Sequence, residues 1–158
     1  MIFLFFIYIT EVLLFNSQFI TFTYKNLTNK METTLSNQEK TRILIVDDES
    51  DLRNLLTHIL TQAGYEVMEA PDGEVALSIL RKEKFNIAFL DIQMPNVNGI
   101  QVLKHIQKIS PSTKVIMLTG YADLKNAMEA KEYGAKDFIG KPYKIEDILS
   151  TVQRLLQE

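Results

Sequence analysis

The chain has 158 residues, 46% hydrophobic and 23% charged, which suits one globular domain of roughly 100 to 200 residues with some chain left over. Its net charge of −3 comes without a basic cluster, so the electrostatic footprint of direct DNA or RNA binding is missing. There is no cysteine, which excludes disulfides, thiolate nucleophiles and zinc–thiolate sites and suits a reducing cytoplasm.

Residues 1–40 differ from the rest. Met1 to Phe15 is rich in Phe and Ile, Glu11 is the only charge before Lys25, and Asn26 to Lys40 is polar and turn-like. A secretory signal is disfavoured, since no positive charge precedes the apolar stretch and no small-residue cleavage pattern follows it. A membrane anchor has length in its favour: Met1 to Phe22 would span ~33 Å as a helix, with Lys25 and Lys30 keeping the following chain cytoplasmic. Against it, Glu11, Asn16, Ser17 and Gln18 interrupt the run, and an acid near a helix centre costs roughly 2.5 to 3.5 kcal/mol on insertion. The preferred expectation is that Met31 is the true start, with residues 1–40 an extension and 41–158 the domain. A domain tethered to the membrane by residues 1–22 is the alternative.

From Thr41, strands and helices alternate. The first strand is Arg42 to Val46, and its helix carries Leu52, Leu55, Leu56, Ile59 and Leu60 as an apolar stripe ending at Gly64. The second strand, Glu66 to Ala70, is half apolar and fits a sheet edge; a turn at Pro71-Asp72-Gly73 leads to a helix with Val75, Ala76, Ile79 and Leu80 inward. The third strand is Asn86 to Leu90. The loop Asp91 to Val97 then feeds a helix capped near Asn98, with Val102, Leu103 and Ile106 inward. Lys114 to Leu118 forms the fourth strand, Asp123 to Tyr133 a helix stopped by Gly134, and Asp137 to Ile139 the short fifth strand. The last helix carries Ile145, Ile148, Leu149, Val152, Leu155 and Leu156. This alternation predicts an α/β doubly wound parallel sheet with helices on both faces.

Each apolar run ends in a residue useful to phosphoryl chemistry: Asp47-Asp48, Asp91, Thr119, and Gly140-Lys141-Pro142. In such sheets ligands bind outside the carboxyl ends of the strands. Asp47, Asp48 and Asp91 would repel one another unless protonated or bound to a cation, and hard oxygen donors suit Mg²⁺. With the ion offsetting repulsion between two anions, Asp91 can act as nucleophile toward a phosphoryl group, giving an acyl phosphate. Lys141 supplies a mobile cation and Thr119 a hydroxyl for a phosphoryl oxygen. Singly, each has an ordinary role, as helix cap, strand residue or solvated lysine. Their joint order along one sheet edge argues for a site.

The segments Asp47-Asp48, Asp91-Ile92-Gln93-Met94-Pro95 with Gly99, Thr119-Gly120 and Lys141-Pro142-Tyr143 resemble the receiver domain of two-component response regulators, over about Thr41 to Glu158. The resemblance implies the flavodoxin-like strand order 2-1-3-4-5 and phosphorylation of Asp91 by a histidine kinase or histidine phosphotransferase. It implies Mg²⁺ held by Asp48, Asp91 and the backbone carbonyl of Gln93, with Asp47 acting through water. It also implies a cis bond between Lys141 and Pro142, a coupled switch of Thr119 and Phe138, and a signalling phosphoacceptor rather than an enzyme. Asn98 departs from the Asp common before the glycine, but caps a helix about as well.

Tyr121 and Gln93 fall where this family flanks the path of hydrolytic water. His58 and His105, beside the apolar stripes, read as surface residues without a role. With the sequence ending right after the fifth helix, the expectation is a stand-alone receiver that docks a downstream protein or passes the phosphoryl group along a relay. A haloacid dehalogenase-type phosphatase would need an Asp-x-Asp nucleophile after the first strand, where Asp47-Asp48-Glu49-Ser50 stands. A flavin binder would need a Ser/Thr/Gly-rich phosphate loop there.

Overall fold

The structure is a computed structural model that describes residues 40–120 and 124–158, with the side chains of residues 124 and 125 left aside. The expectations for residues 1–39 and for Tyr121 lie outside the described residues. The elements run β1 (Arg42–Val46), α1 (Ser50–Gln62), β2 (Glu66–Ala70), α2 (Gly73–Leu80), β3 (Ile87–Asp91), α3 (Gly99–Ile109), β4 (Lys114–Thr119), α4 (Leu124–Glu132), β5 (Asp137–Gly140) and α5 (Ile145–Gln157).

The five strands form one parallel sheet in the order β2-β1-β3-β4-β5, as the family resemblance implies. Its centre is the three most apolar runs. β1, β3 and β4 are almost wholly buried, whereas β2 and β5 are partly exposed at the edges. Side chains alternate between the faces of a strand, so each central strand feeds two cores. Leu44, Val46, Ala88, Leu90, Val115 and Met117 face the side covered by Ala76 and Leu80 of α2, Val102 and Leu103 of α3, and Ala130 of α4. Ile43, Ile45, Ile87, Phe89, Ile116 and Leu118 meet Leu56 and Leu60 of α1 and Ile148, Val152 and Leu155 of α5. Two helices on one face and three on the other are what right-handed crossovers give when β1 leads outward to β2 and the chain then returns to β3. That reversal puts the carboxyl ends of β1 and β3 side by side around a crevice.

Several boundaries and burials differ from expectation. β3 begins and ends one residue later than predicted, taking in Asp91, while β4 and β5 extend to Thr119 and Gly140. The ladders continue through these polar residues because they need only backbone groups: Asp91 pairs with Leu118, and Thr119 with Gly140. α4 ends at Glu132, a residue before the predicted limit, and Gly134, at φ 90°, closes the turn after it. The helical stripes are wider than the faces they bury. Leu55, Val75, Ile145 and Leu156 are exposed, since a helix lying on a sheet covers only a narrow strip of itself. His58 is exposed as expected, but His105 is half-buried, with a solvent-inaccessible Nε2 that has no hydrogen-bond partner among the described residues. Among the described residues, no helix is long and apolar enough to cross a membrane.

Candidate functional site

At the crevice, β1 runs straight into the acid pair. Asp47 is fully buried, its amide continues the sheet by donating to the Ala70 carbonyl at 3.3 Å, and its carbonyl accepts from Arg53 at 2.7 Å. Arg53 also pairs with Glu69 at 3.1 Å, so the turn carrying the acids is tied to both α1 and β2. Asp48, by contrast, is exposed.

Asp91 is the last residue of β3 and is 5% exposed. The chain leaves it through a tight loop that returns to start α3, with Asn98 as cap: its side chain accepts from the Gln101 amide, and the Gln101 side chain accepts from the Asn98 amide. Gly99 sits so near the strand end that a Cβ there would lie 2.1 Å from the Asp91 carbonyl oxygen. The helix start can therefore abut the end of β3 only without a side chain.

One carboxylate oxygen from each of Asp47, Asp48 and Asp91 lies within 4.8 Å of the other two. Lys141 reaches this cluster from the end of β5, whose alignment is set by the Lys141 amide donating to the Thr119 carbonyl at 2.7 Å. The peptide bond from Lys141 to Pro142 is cis, as the resemblance implies. Lys141 Nζ lies 2.9 Å from Asp91 Oδ2, 3.0 Å from Asp47 Oδ2 and 3.0 Å from Glu49 Oε1, so all three of its donors face carboxylates. Burial works against the ammonium charge, but hydrogen bonds to Asp91, Asp47 and Glu49 outweigh it and raise the Lys141 pKa well above the usual lysine range. Burial raises the Asp91 pKa above the ordinary carboxylate value, opposed by Lys141 and by the Gln93 amide, which donates to Asp91 Oδ1 at 3.2 Å.

The donor set fits Mg²⁺. It consists of hard oxygens close enough to share one small ion, with two acids buried and the third open to the solvent from which the ion would keep its waters. When bound, the ion would offset charge on an incoming phosphoryl group and help align it.

Of the remaining predicted residues, Thr119 is half-buried and its hydroxyl donates to the Gly120 carbonyl at 3.1 Å, turned toward its own chain rather than the acids. Phe138 is half-buried against the core beneath α2, α3 and α4. Gln93 is exposed on the loop after Asp91. Sequence reasoning gave no role to Glu49, which caps the cluster on its solvent side, or to Tyr143, whose hydroxyl lies 3.3 Å from Asp47 Oδ2. Burial, and then the nearby Asp47 charge, raises the Tyr143 pKa and keeps it a hydrogen-bond donor.

A doubly wound sheet of this order, with an acid triad and a lysine at its carboxyl edge, defines a phosphoacceptor class of signalling domain. Residues 43–153 match the response regulator receiver domain family, and the chain belongs to it. It is 36% identical over 115 residues to sporulation initiation phosphotransferase F of Bacillus subtilis, covering 73% of this chain and 93% of that one. It is 39% identical to chemotaxis protein CheY of Thermotoga maritima, covering 72% and 96% of the two chains. A CheY-like receiver domain structure from Methanospirillum hungatei superposes with a TM-score of 0.73 at 36% identity, over 75% of this chain and 95% of the other. Against the probable transcriptional regulator ycf27 of Porphyridium aerugineum, the match spans only 49% of the relative. The chain is thus a receiver domain of two-component signalling, a phosphorylatable response regulator. Neither the phosphatase nor the flavin-binding reading has support.

Proposed function

We propose that the domain, residues 41–158, accepts one phosphoryl group on Asp91 from a histidine kinase or histidine phosphotransferase, in the cytoplasm and with Mg²⁺. The observation that carries this reading is Lys141 Nζ, 2.9 Å from Asp91 Oδ2, inside a cluster of three aspartates. Asp48, Asp91 and the Gln93 carbonyl would hold the ion, with Asp47 acting through water. A carboxylate oxygen of Asp91 forms the new bond to phosphorus while the donor's bond to phosphorus breaks, and the negative charge gained beside Asp91 is what Lys141 is placed to balance.

After transfer, the Thr119 hydroxyl turns from the Gly120 carbonyl to the phosphoryl group and Phe138 follows inward, altering the surface of α4, β5 and α5. Support for this coupling is local: Thr119 and Phe138 lie on neighbouring strands, and the Thr119 carbonyl already holds the Lys141 amide. The output is either docking of a downstream protein or transfer along a relay, the names of the chemotaxis and phosphotransferase relatives standing for these two modes. Incubation of the full chain with acetyl phosphate, followed on a phosphate-affinity gel, should show one shifted band that chelation of Mg²⁺ abolishes. Failure to shift with Mg²⁺ present, or an equal shift in chelator, would contradict the proposal.

A further inference from the structure

Asp47 is completely buried, yet it lies in the site as a carboxylate that must keep its oxygens satisfied without bulk water. Its Oδ1 accepts from the Glu49 amide at 2.9 Å. Among the described residues, its Oδ2 has two donors beside it, Lys141 Nζ at 3.0 Å and the Tyr143 hydroxyl at 3.3 Å. These two donors differ in permanence. Lys141 is shared among three carboxylates, and to meet a phosphoryl oxygen it must withdraw at least one N–H from them. Glu49, with its side chain 60% exposed, would be hydrated on release, whereas Asp47 would be left short of a donor.

Tyr143 stays where it is. Its ring is half-buried against the core that contains Ile45, Leu118 and Ile139, so packing fixes the ring while the hydroxyl alone reaches the acid pair. A phenylalanine would fill the same core space; the hydroxyl adds nothing to that packing and one hydrogen bond to Asp47. Groups that hold a metal-site carboxylate in place govern affinity although they never touch the ion.

We propose that Tyr143 is a positioning residue of the magnesium site, its hydroxyl holding Asp47 Oδ2 in place when Lys141 turns toward the phosphoryl group. This rests on the reading of the acid cluster as the site of Mg²⁺.

The test is a Mg²⁺ titration of the full chain and of Tyr143→Phe, Asp47→Ala, the double variant and Asp48→Ala, followed by calorimetry or amide chemical shifts, with melting in chelator alongside. Tyr143→Phe should weaken Mg²⁺ binding about tenfold, the lower end of the range for such supporting groups because the bond is long. Its melting temperature in chelator should match the parent's, and the substitution should have no further effect in the Asp47→Ala background. Unchanged Mg²⁺ affinity in Tyr143→Phe, with binding lost in Asp48→Ala, would overturn the role of Tyr143 and leave the metal site standing. An equal loss in the Asp47→Ala background, or a drop in metal-free melting that accounts for the weaker binding, would also overturn it. Equal Mg²⁺ binding by the parent and Asp48→Ala would remove the site itself, and the inference with it.

Discussion

Replacing Gly99 with alanine adds one methyl group where the start of α3 meets the end of β3. The new Cβ would lie 2.1 Å from the Asp91 carbonyl oxygen, 2.9 Å from the Asp91 carbonyl carbon and 3.2 Å from Met117 Cε. The first distance is about 1 Å inside the contact limit of a methyl group and a carbonyl oxygen. Relief cannot come from a side-chain rotation, since the nearest atoms are backbone, so either α3 or the end of β3 must shift. Overpacking of this kind costs about 1 to 3 kcal/mol. For a domain of this size that is a fall in melting temperature of roughly 3 to 15 °C. The same shift displaces Asp91, and a misplacement of about 1 Å can slow a reaction on the order of a hundredfold. Circular dichroism melting and the initial rate of phosphorylation by acetyl phosphate measure the two effects. Gly64→Ala is the control. Gly64 has φ 92° and nothing within 4 Å of a built Cβ, so it should lose about 1 kcal/mol from backbone strain and keep the parental rate. A Gly99→Ala variant with parental melting and parental rate would refute the close-approach argument.

Asp48→Ala should keep the fold, because the side chain is exposed, while weakening Mg²⁺ binding by at least about tenfold; an unchanged titration would contradict its place in the site. Thr119→Ala should still take up the phosphoryl group but lose the associated gain in partner affinity, a coupling of about 1 to 3 kcal/mol, and full partner binding by the phosphorylated variant would remove Thr119 from the switch. Asp91→Asn should melt above the parent at neutral pH without Mg²⁺. Burial raises the folded-state pKa of Asp91, so ionisation costs stability at pH values above that pKa; the cost fades as pH falls to the ordinary carboxylate value, where the two melting curves should converge. A gap that widens on acidification would contradict the sign.

β1 and β2 were legible to the residue because apolar runs stop there at charged or turn residues. β3 was misplaced by one because Asp91, a charged residue, looks like the first residue of a loop, while its backbone still pairs with β4. The Asn98 cap was readable from local chemistry, and the structure adds the reciprocal bond, donated by the Asn98 amide to the Gln101 side chain. In the site, Asp47, Asp48, Asp91 and Lys141 could be named because strand ends converge in a doubly wound sheet whatever the packing details. Glu49 and Tyr143 could not. Their partners are 92 and 96 residues away in sequence, and the pairings depend on how β1 and β5 are placed across the sheet, which no local pattern encodes. Val75, expected inward, is exposed for a related reason: periodicity finds the apolar side of a helix but not the width of the strip its sheet covers.

The central claim is that Asp91 carries the phosphoryl group. Phosphorylation of the full chain with acetyl phosphate and Mg²⁺, borohydride reduction and peptide mass spectrometry would locate it, since an aspartyl phosphate is reduced to homoserine. Homoserine at position 91 alone, and none in Asp91→Asn, is the predicted result. Homoserine at position 47 or 48, or undiminished phosphoryl uptake by Asp91→Asn, would contradict the account.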